Sequence, residues 1–400
     1  MKSSTAKALH NICGRPMLEY VLDLVKELKI KRVVAVLGYQ REQVKKCLMP
    51  GIKSVVQKKL LGTADAVKSA LPKLKNFKGT ILVLYADSPL LKKETIKKLI
   101  THHSKNNLDA TLLTAQLDKP AGYGRVLRDK LASIYAIAEE KDADDFQKEI
   151  KEINTGIICF DKDKLVSSLK EVKPNNKKKE YYLTDIIAIL YKKGALIEAV
   201  RLSDINEALG INSKGDLAKA NKLMQQRLNE NLMQQGVSII DPGSTFISFG
   251  VKIGHDTIIY PFTVIERGVK IGRCCSVGPF AHLRQGTELK DGVVAGNFSE
   301  IVRSRLGASV LAKHFCYLGD SRIGPKANIG AGTVTANFDG RKKSVTTIKE
   351  GAAIGSDTVL VAPVKVGQNA ITGAGSAVIR DVPDNATAVG VPARLLKKHI

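Results

Sequence analysis

Ile253–Ile301 reads IGHDTI IYPFTV IERGVK IGRCCS VGPFAH LRQGTE LKDGVV AGNFSE I, with an aliphatic or small residue returning at every sixth position. The recurring residues are Ile253, Ile259, Ile265, Ile271, Val277, Leu283, Leu289, Ala295 and Ile301. A helix spaces its apolar residues by three and four, and a half-buried strand by two. A strict six, with glycine after several of the apolar positions (Gly254, Gly272, Gly278), is the signature of a hexapeptide β-helix. Each hexad makes one side of a triangular coil, and its aliphatic side chain stacks inside the prism. The register slips after Ile301 and resumes at Leu306, Ala312 and Leu318, then again at Ile323 and Ile329. A third run follows at Ile348, Ile354, Leu360, Val366, Thr372 and Val378. The expected fold of this half is therefore a left-handed parallel β-helix. The loop Thr335–Thr347 is too long for a coil corner and must project, and projecting loops usually carry binding.

Working outward, Asp216–Gln235 holds neither Gly nor Pro and reads as one helix linking two domains. Before it, short apolar runs at Arg32–Leu37, Gly79–Tyr85, Ala110–Gln116, Ile157–Phe160 and Ile197–Val200 read as strands. Helical patterns separate them at Pro16–Leu28, Ala64–Leu74, Lys93–Ser104 and Leu183–Lys193. Strands spaced by helices predict a parallel or mixed sheet covered on both faces. Ligands of such sheets bind beyond the carboxyl ends of the strands, which points to Tyr85, Ala86 and Asp87.

The formal net charge of +24 raises the question of a polyanionic partner. Nucleic-acid binding would gather Lys and Arg in a stripe interleaved with aromatics. Here they lie in scattered clusters such as Lys177–Lys179 and Lys342–Lys343, and tryptophan is absent. The charge reads instead as a solvated surface that also attracts phosphorylated small molecules, so neither nucleic acid nor membrane is an expected partner. No apolar stretch is long enough to span a bilayer, and the N-terminus lacks the layout of a secretory signal. Six cysteines without a C-x-x-C pair fit a reduced, bacterial-type cytoplasm.

The motifs GPFAHLR (Gly278–Arg284), GNFSE (Gly296–Glu300), KHFCYLGD (Lys313–Asp320), NIGAGTVTANFDG (Asn328–Gly340) and GSDTVLVAPV (Gly355–Val364) resemble a bacterial enzyme family. That family makes UDP-N-acetylglucosamine by fusing a uridylyltransferase to an acetyltransferase. The resemblance implies that His314 is the general base taking a proton from the 2-amino group of glucosamine-1-phosphate, with Glu300 orienting or polarising it. It implies that Arg284 holds the sugar phosphate and that Tyr317, Asn328 and Lys343 complete the sugar site. Asn337 and Phe338 would meet acetyl-CoA, Asn337 facing the thioester. Ala331, Ser356 and Ala374 would line an acetyl-CoA groove between neighbouring subunits of a homotrimer. The residue chemistry agrees. The attacking amine must be neutral, and imidazole titrates near working pH. A neighbouring carboxylate holds one tautomer, and a guanidinium grips phosphate through two hydrogen bonds. His282 and His255 lack such partners and read as structural.

In the first half the matching motifs are KALHNICGRPM (Lys7–Met17), LGTADA (Leu61–Ala66), LYADSPL (Leu84–Leu90), GYGRV (Gly122–Val126), AEEKDA (Ala138–Ala143), EINTGI (Glu152–Ile157), EYYLTD (Glu180–Asp185) and GINS (Gly210–Ser213). The resemblance implies an α/β Rossmann-like nucleotidyltransferase domain in which Asp87 and Asn212 hold Mg²⁺, a cation that suits a few hard oxygen ligands. Lys7 would contact the phosphates of UTP, with Gln57, Gly62 and Thr63 around the uracil. Gly124, Glu139, Asn154 and Thr184 would hold N-acetylglucosamine-1-phosphate. In-line attack on the α-phosphorus, with pyrophosphate leaving, needs mainly positioning and charge neutralisation.

The chain also departs from the family. Val302 stands where the family has a second phosphate-binding Lys, and Arg303 next to it is not expected to replace it, because adjacent strand residues point to opposite faces. Ala6 replaces a Pro, Leu60 replaces a Gln, and the ending VGVPARLLKK (Val389–Lys398) resembles other hexapeptide acyltransferases. The family's first strand and its LxxGxGT[RK]M loop have no counterpart, since Met1 aligns with the Met closing that loop. Either the natural protein starts upstream, the preferred reading because a sheet loses much packing with a central strand, or uridylyltransferase activity is lost. The expected domains are 1–212 (nucleotidyltransferase-like, truncated at its start), 213–236 (linker helix) and 237–400 (acetyltransferase). The alternatives to a bifunctional enzyme are an acetyltransferase alone and a non-catalytic trimerisation stalk.

Overall fold

The six-residue period closes into three sheets, of ten, eight and seven strands, wound from Ser238 to Leu395 and parallel except for the last strand, Ala393–Leu395, which pairs antiparallel. The computed structural model describes residues 1–396, so Lys397 and Lys398 of the closing segment lie outside the described residues. Strands of two residues alternate outward and inward, as Lys252–Ile253 and Lys270–Ile271 do, exposing the first residue and burying the second. Each strand pairs with the third one on, so Ile259 stacks on Val277, eighteen residues later. The predicted interior positions from Ile253 to Val378 are buried and most form one continuous core. Full burial of such a side chain contributes about 1.5–3 kcal/mol, so the stack is held by repetition.

The slip after Ile301 is a change of coil length. Leu289 stacks on Leu306 and Glu300 on Tyr317, each seventeen residues on. Glycine follows the interior residue because the next coil approaches the backbone there. A Cβ at Gly272 would lie 2.6 Å from the nitrogen of Asp291, and one at Gly330 would lie 2.5 Å from that of Ser356. The projecting loop is present but shorter than predicted, because strands Val334–Ala336 and Thr346–Ile348 extend into its ends.

Contacts divide the chain into two units, Met1–Ala220 and Asn221–Ile400. The predicted connecting helix is Lys214–Gln234. In the first unit the sheet runs Ile197–Arg201, Ala110–Gln116, Glu152–Asp161, Gly124–Arg128, Ile134–Ala138, with Thr80–Val83 pairing antiparallel to Glu152–Asp161. It is mixed, and covered on both faces as predicted. Leu112 and Ile158 join one core cluster, with Ile186 and Leu190, whereas Leu113 and Cys159 join another, with Ile96 and Leu99.

Two features differ from expectation. Strands Lys53–Val56, Gly124–Arg128 and Ile134–Ala138 were not legible, because each is short and mixes charged or small residues into its apolar run. The sheet is also in two pieces. Val34–Leu37 and Lys53–Val56 form their own parallel ladder, and all residues of Thr80–Val83 are half-buried. No helix among the described residues is long and apolar enough to cross a membrane.

Candidate active sites

In the first unit, the carboxyl end of Thr80–Val83 delivers Asp87 to the place predicted for it. Asp87 accepts a hydrogen bond from the Lys7 ammonium, which also donates to Oδ1 of Asn212 at 2.6 Å. The N–H of Ile211 donates to the Asp87 carbonyl at 3.1 Å, tying the two segments together. Three residues from distant parts of the sequence thus converge at one place. The two oxygens there are hard donors, and few in number, so the pair fits a divalent cation that takes its other ligands from phosphate and water.

Gln57, Gly62 and Thr63 also come together. Gln57 Nε2 donates to the Gly62 carbonyl at 3.0 Å and to Asp65 at 2.8 Å. Gly62 has φ +117° and presses on Tyr181, where a Cβ would lie 2.7 Å from the backbone nitrogen. Thr63 opens the helix Thr63–Ala70 and its Oγ1 accepts the N–H of Leu183 at 2.9 Å.

Gly124 pairs with Asn154 across neighbouring strands, and a Cβ on Gly124 would approach Glu139 to 3.5 Å. Thr184 donates to Glu139 Oε1 at 2.8 Å. Burial pushes the Glu139 carboxyl up against the pull of that hydrogen bond. Burial also pushes Asp185 up to about 6, helped by the charges of Glu139 and Asp142. Tyr85, to which the strand-end rule pointed without giving it a role, stands beside Glu139 and Asp87. Its ring packs on Gly156, and burial, then Glu139 and Asp87, raise its phenol.

In the second unit, Glu300 and Tyr317 share one sheet, with Glu300 in register between His282 and Tyr317, and Arg284 directly follows the strand His282–Leu283. Arg284 Nη1 donates to Glu300 Oε1 at 2.7 Å. Tyr317 lies within electrostatic reach of both Arg284 and Arg303. His314 sits in the corner between Leu311–Ala312 and Cys316–Gly319; it is exposed, and its ring has no hydrogen-bond partner among the described residues. Glu300 is ion-paired with Arg284 in this structure.

Ala331, Ser356 and Ala374 occupy that same corner in the following coils. The N–H of Gly332 donates to the Phe315 carbonyl at 2.7 Å, that of Asp357 to Ala331 at 2.6 Å, and that of Gly375 to Ser356 at 2.7 Å. Asn328 lies in the adjoining ten-stranded sheet, so one chain does not bring it onto the face of Arg284 and Glu300. Asn337, Phe338 and Lys343 belong to the projecting loop, where Phe338 and Lys343 form an antiparallel bridge.

Two readings of single residues change. His282 Nε2 is 3.1 Å from Glu266 and His255 Nδ1 is 2.6 Å from Asp256, so both histidines have carboxylate partners. Val302 is buried. Arg303 has φ +49° and donates from Nε and Nη2 to Asp320 at 2.6 and 2.7 Å. Arg303 and Asp320 are seventeen residues apart, one short coil.

Comparison with known proteins follows the same division. The MobA-like NTP transferase domain family matches residues 1–153, and the bacterial transferase hexapeptide family (six repeats) matches residues 250–285. The bifunctional protein GlmU of Geobacillus sp. (strain WCH70) is 40% identical over 432 residues, covering 100% of this chain and 94% of that protein. The bifunctional protein GlmU of Thermosipho africanus (strain TCF52B) is 44% identical over 423 residues, covering 98% and 92%.

Proposed function

This chain belongs to the family of bifunctional GlmU proteins, and from that premise we propose that it makes UDP-N-acetylglucosamine in two steps. Acetyl transfer from acetyl-CoA to the amine of glucosamine-1-phosphate occurs on the left-handed β-helix. Uridylyl transfer from UTP to N-acetylglucosamine-1-phosphate, releasing pyrophosphate, occurs in the nucleotidyltransferase domain. The observation that carries the reading is that Lys7, Asp87 and Asn212 come together.

Asp87 and Asn212 would hold Mg²⁺, which when bound neutralises phosphate charge. Lys7 binds the triphosphate, Gln57, Gly62 and Thr63 enclose the base, and Gly124, Glu139, Asn154 and Thr184 orient the sugar phosphate. The step asks for alignment and charge neutralisation rather than a protein nucleophile. In the β-helix, His314 removes the proton from the attacking amine, Arg284 binds the phosphate, and Glu300 stabilises the imidazolium. Tyr317 and Lys343 bound the sugar, and Asn337 and Phe338 meet the acyl donor at the head of the corner formed by Ala331, Ser356 and Ala374.

The division is 1–212, 213–236 and 237–400. The working form is a homotrimer. Asn328, on a different face from Arg284 and Glu300, supports a site completed by a neighbouring copy. Cysteines without disulfides among the described residues support a cytoplasmic location.

Two assays on the full chain test the reading. CoA release from acetyl-CoA and glucosamine-1-phosphate should fall about 10²–10⁴-fold in His314→Ala, the usual worth of a general base. Pyrophosphate release from UTP and N-acetylglucosamine-1-phosphate should require Mg²⁺ and survive that substitution. A wild-type chain inactive in either assay removes the corresponding half of the proposal, and a monomer by light scattering removes the shared site.

A further inference from the structure

Asp320 ends the strand Cys316–Gly319 in a left-handed backbone conformation, φ +48°, with only 15% of its side chain exposed. Arg303, one coil earlier, places two parallel hydrogen bonds on its carboxylate, Nε to Oδ1 at 2.6 Å and Nη2 to Oδ2 at 2.7 Å. Oδ2 also accepts from Nδ2 of Asn337, the first residue of the projecting loop. The Asp320 carbonyl accepts the N–H of Thr346 at 3.2 Å, where the strand after the loop begins. One residue thus grips both stems.

Between the stems the loop closes on itself. The N–H of Ser344 donates to the Asn337 carbonyl at 2.8 Å, and Asp339 accepts the N–H groups of Arg341 and Lys342 at 2.8 Å. The charge of Lys343 reaches Asp320 as well, but the hydrogen bonds from Arg303 come first in holding that carboxyl below the usual range.

A carboxylate only accepts, so only the NH₂ end of the Asn337 amide can face it. The flipped amide would set acceptor against acceptor. Asn337 is itself buried, and Gly319 leaves the space its Nδ2 occupies, since a Cβ there would lie 2.7 Å from that nitrogen. We infer that the Arg303–Asp320 pair is the positioning device of the acetyl-transfer site, holding the Asn337 amide in one orientation and its loop, with Lys343, against the coil. The inference rests on the acetyltransferase reading above. It also assigns Arg303, whose planar fork serves Asp320 rather than the sugar phosphate.

The test is a double-mutant cycle on acetyl transfer by the full chain, with acetyl-CoA and glucosamine-1-phosphate as substrates and Tm and oligomeric state measured alongside. Asp320→Asn keeps the shape but accepts either end of the Asn337 amide, and should lower kcat on the order of 10–100-fold, with KM for the sugar phosphate unchanged. Asn337→Ala should also lower kcat, and adding Asp320→Asn to it should cost nothing further, because the two act as one unit. Arg303→Gln should reproduce Asp320→Asn, and Arg303→Lys should restore only part. If Asp320→Asn fails to fold, the two Arg303 variants carry the same cycle. Additive losses, or full kcat in Asp320→Asn, overturn the inference. So does a raised KM for glucosamine-1-phosphate at unchanged kcat in Arg303→Gln, which would place Arg303 on the phosphate. A wild-type chain that releases no CoA fails earlier, at the acetyltransferase reading, and takes the inference with it.

Discussion

Arg284 holds Glu300: its Nη1 donates to Oε1 at 2.7 Å, so the carboxylate assigned to the base is already engaged by the guanidinium assigned to the phosphate. Both side chains are about two-fifths exposed, 43% and 41%, so solvent screens the pair and it exchanges readily. An arriving phosphate offers Arg284 two hydrogen bonds in place of one, and releases Glu300 toward His314. Binding of the sugar phosphate would then arm the base. Arg284→Lys should raise KM for glucosamine-1-phosphate roughly tenfold or more, the worth of a charged hydrogen bond. Glu300→Gln should instead lower kcat. Steady-state kinetics separates the two, and wild-type kcat in Glu300→Gln would sink the coupling.

The Lys7 ammonium stands between Asp87 and Asn212, where the divalent cation is proposed to sit. Like charges exclude one another, so the free chain should bind Mg²⁺ more tightly once Lys7 is replaced by Ala, while uridylyl transfer falls for want of a phosphate contact. Calorimetric Mg²⁺ titration reads the first effect without any activity. Asp87→Asn should weaken Mg²⁺ binding and leave acetyl transfer untouched. Weaker Mg²⁺ binding in Lys7→Ala would show that the ammonium does not compete.

Asp185 gives the nucleotidyltransferase domain a pH dependence of definite sign. Its carboxyl is pushed up to about 6 from 3.8, first by burial and then by Glu139 and Asp142. Between those values the folded chain binds more protons than the unfolded one, so stability falls as pH rises through the window and stays lower above it. The carboxyl is only half-buried, so solvent screening trims the worth of the shift to on the order of 1–2 kcal/mol at neutral pH. Asp185 also lies in the first turn of the helix Asp185–Lys192, where its charge is worth only about 0.3–1 kcal/mol, so burial wins. Asp185→Asn should raise Tm at pH 7 and not at pH 4. An unchanged Tm at pH 7 would count against a buried charge there.

The close stacking of coils predicts one sharp substitution. Gly330→Ala would put a Cβ 2.5 Å from the nitrogen of Ser356, against the backbone of the next coil, where its nearest neighbours include no flexible side chain to yield. Overpacking of this kind costs about 1–3 kcal/mol. The damage falls on the corner of Ala331 and Ser356, so acetyl-CoA binding should weaken together with Tm. A neutral Gly330→Ala in both measurements would mean that the coils are spaced more loosely.

Much of the candidate site could be named from the sequence because motifs group local residues. KHFCYLGD carries His314 and Tyr317 on one corner and strand, and NIGAGTVTANFDG carries Asn328 and the stem of the loop. What stayed hidden were relations across coils. Asp320 was quoted within its motif but not singled out, because nothing nearby in the sequence shows that Arg303 reaches it. The carboxylate partners of His282 and Glu300's commitment to Arg284 were hidden for the same reason.

By itself the sequence determined the β-helix. A hexad encodes its own side of the prism, the aliphatic residue faces inward wherever the coil stands, and glycine follows where the next coil presses on the backbone. Through local motifs it also pointed to Asp87, beyond Thr80–Val83, as a candidate site residue. The tertiary structure alone decided the charge pairings, the split of the first sheet, and the gathering of Lys7 with Asn212. Those depend on which long side chains meet after stacking, and Lys7 and Asn212 lie 205 residues apart. A repeat writes its geometry locally; a contact between distant side chains exists only once the chain has folded.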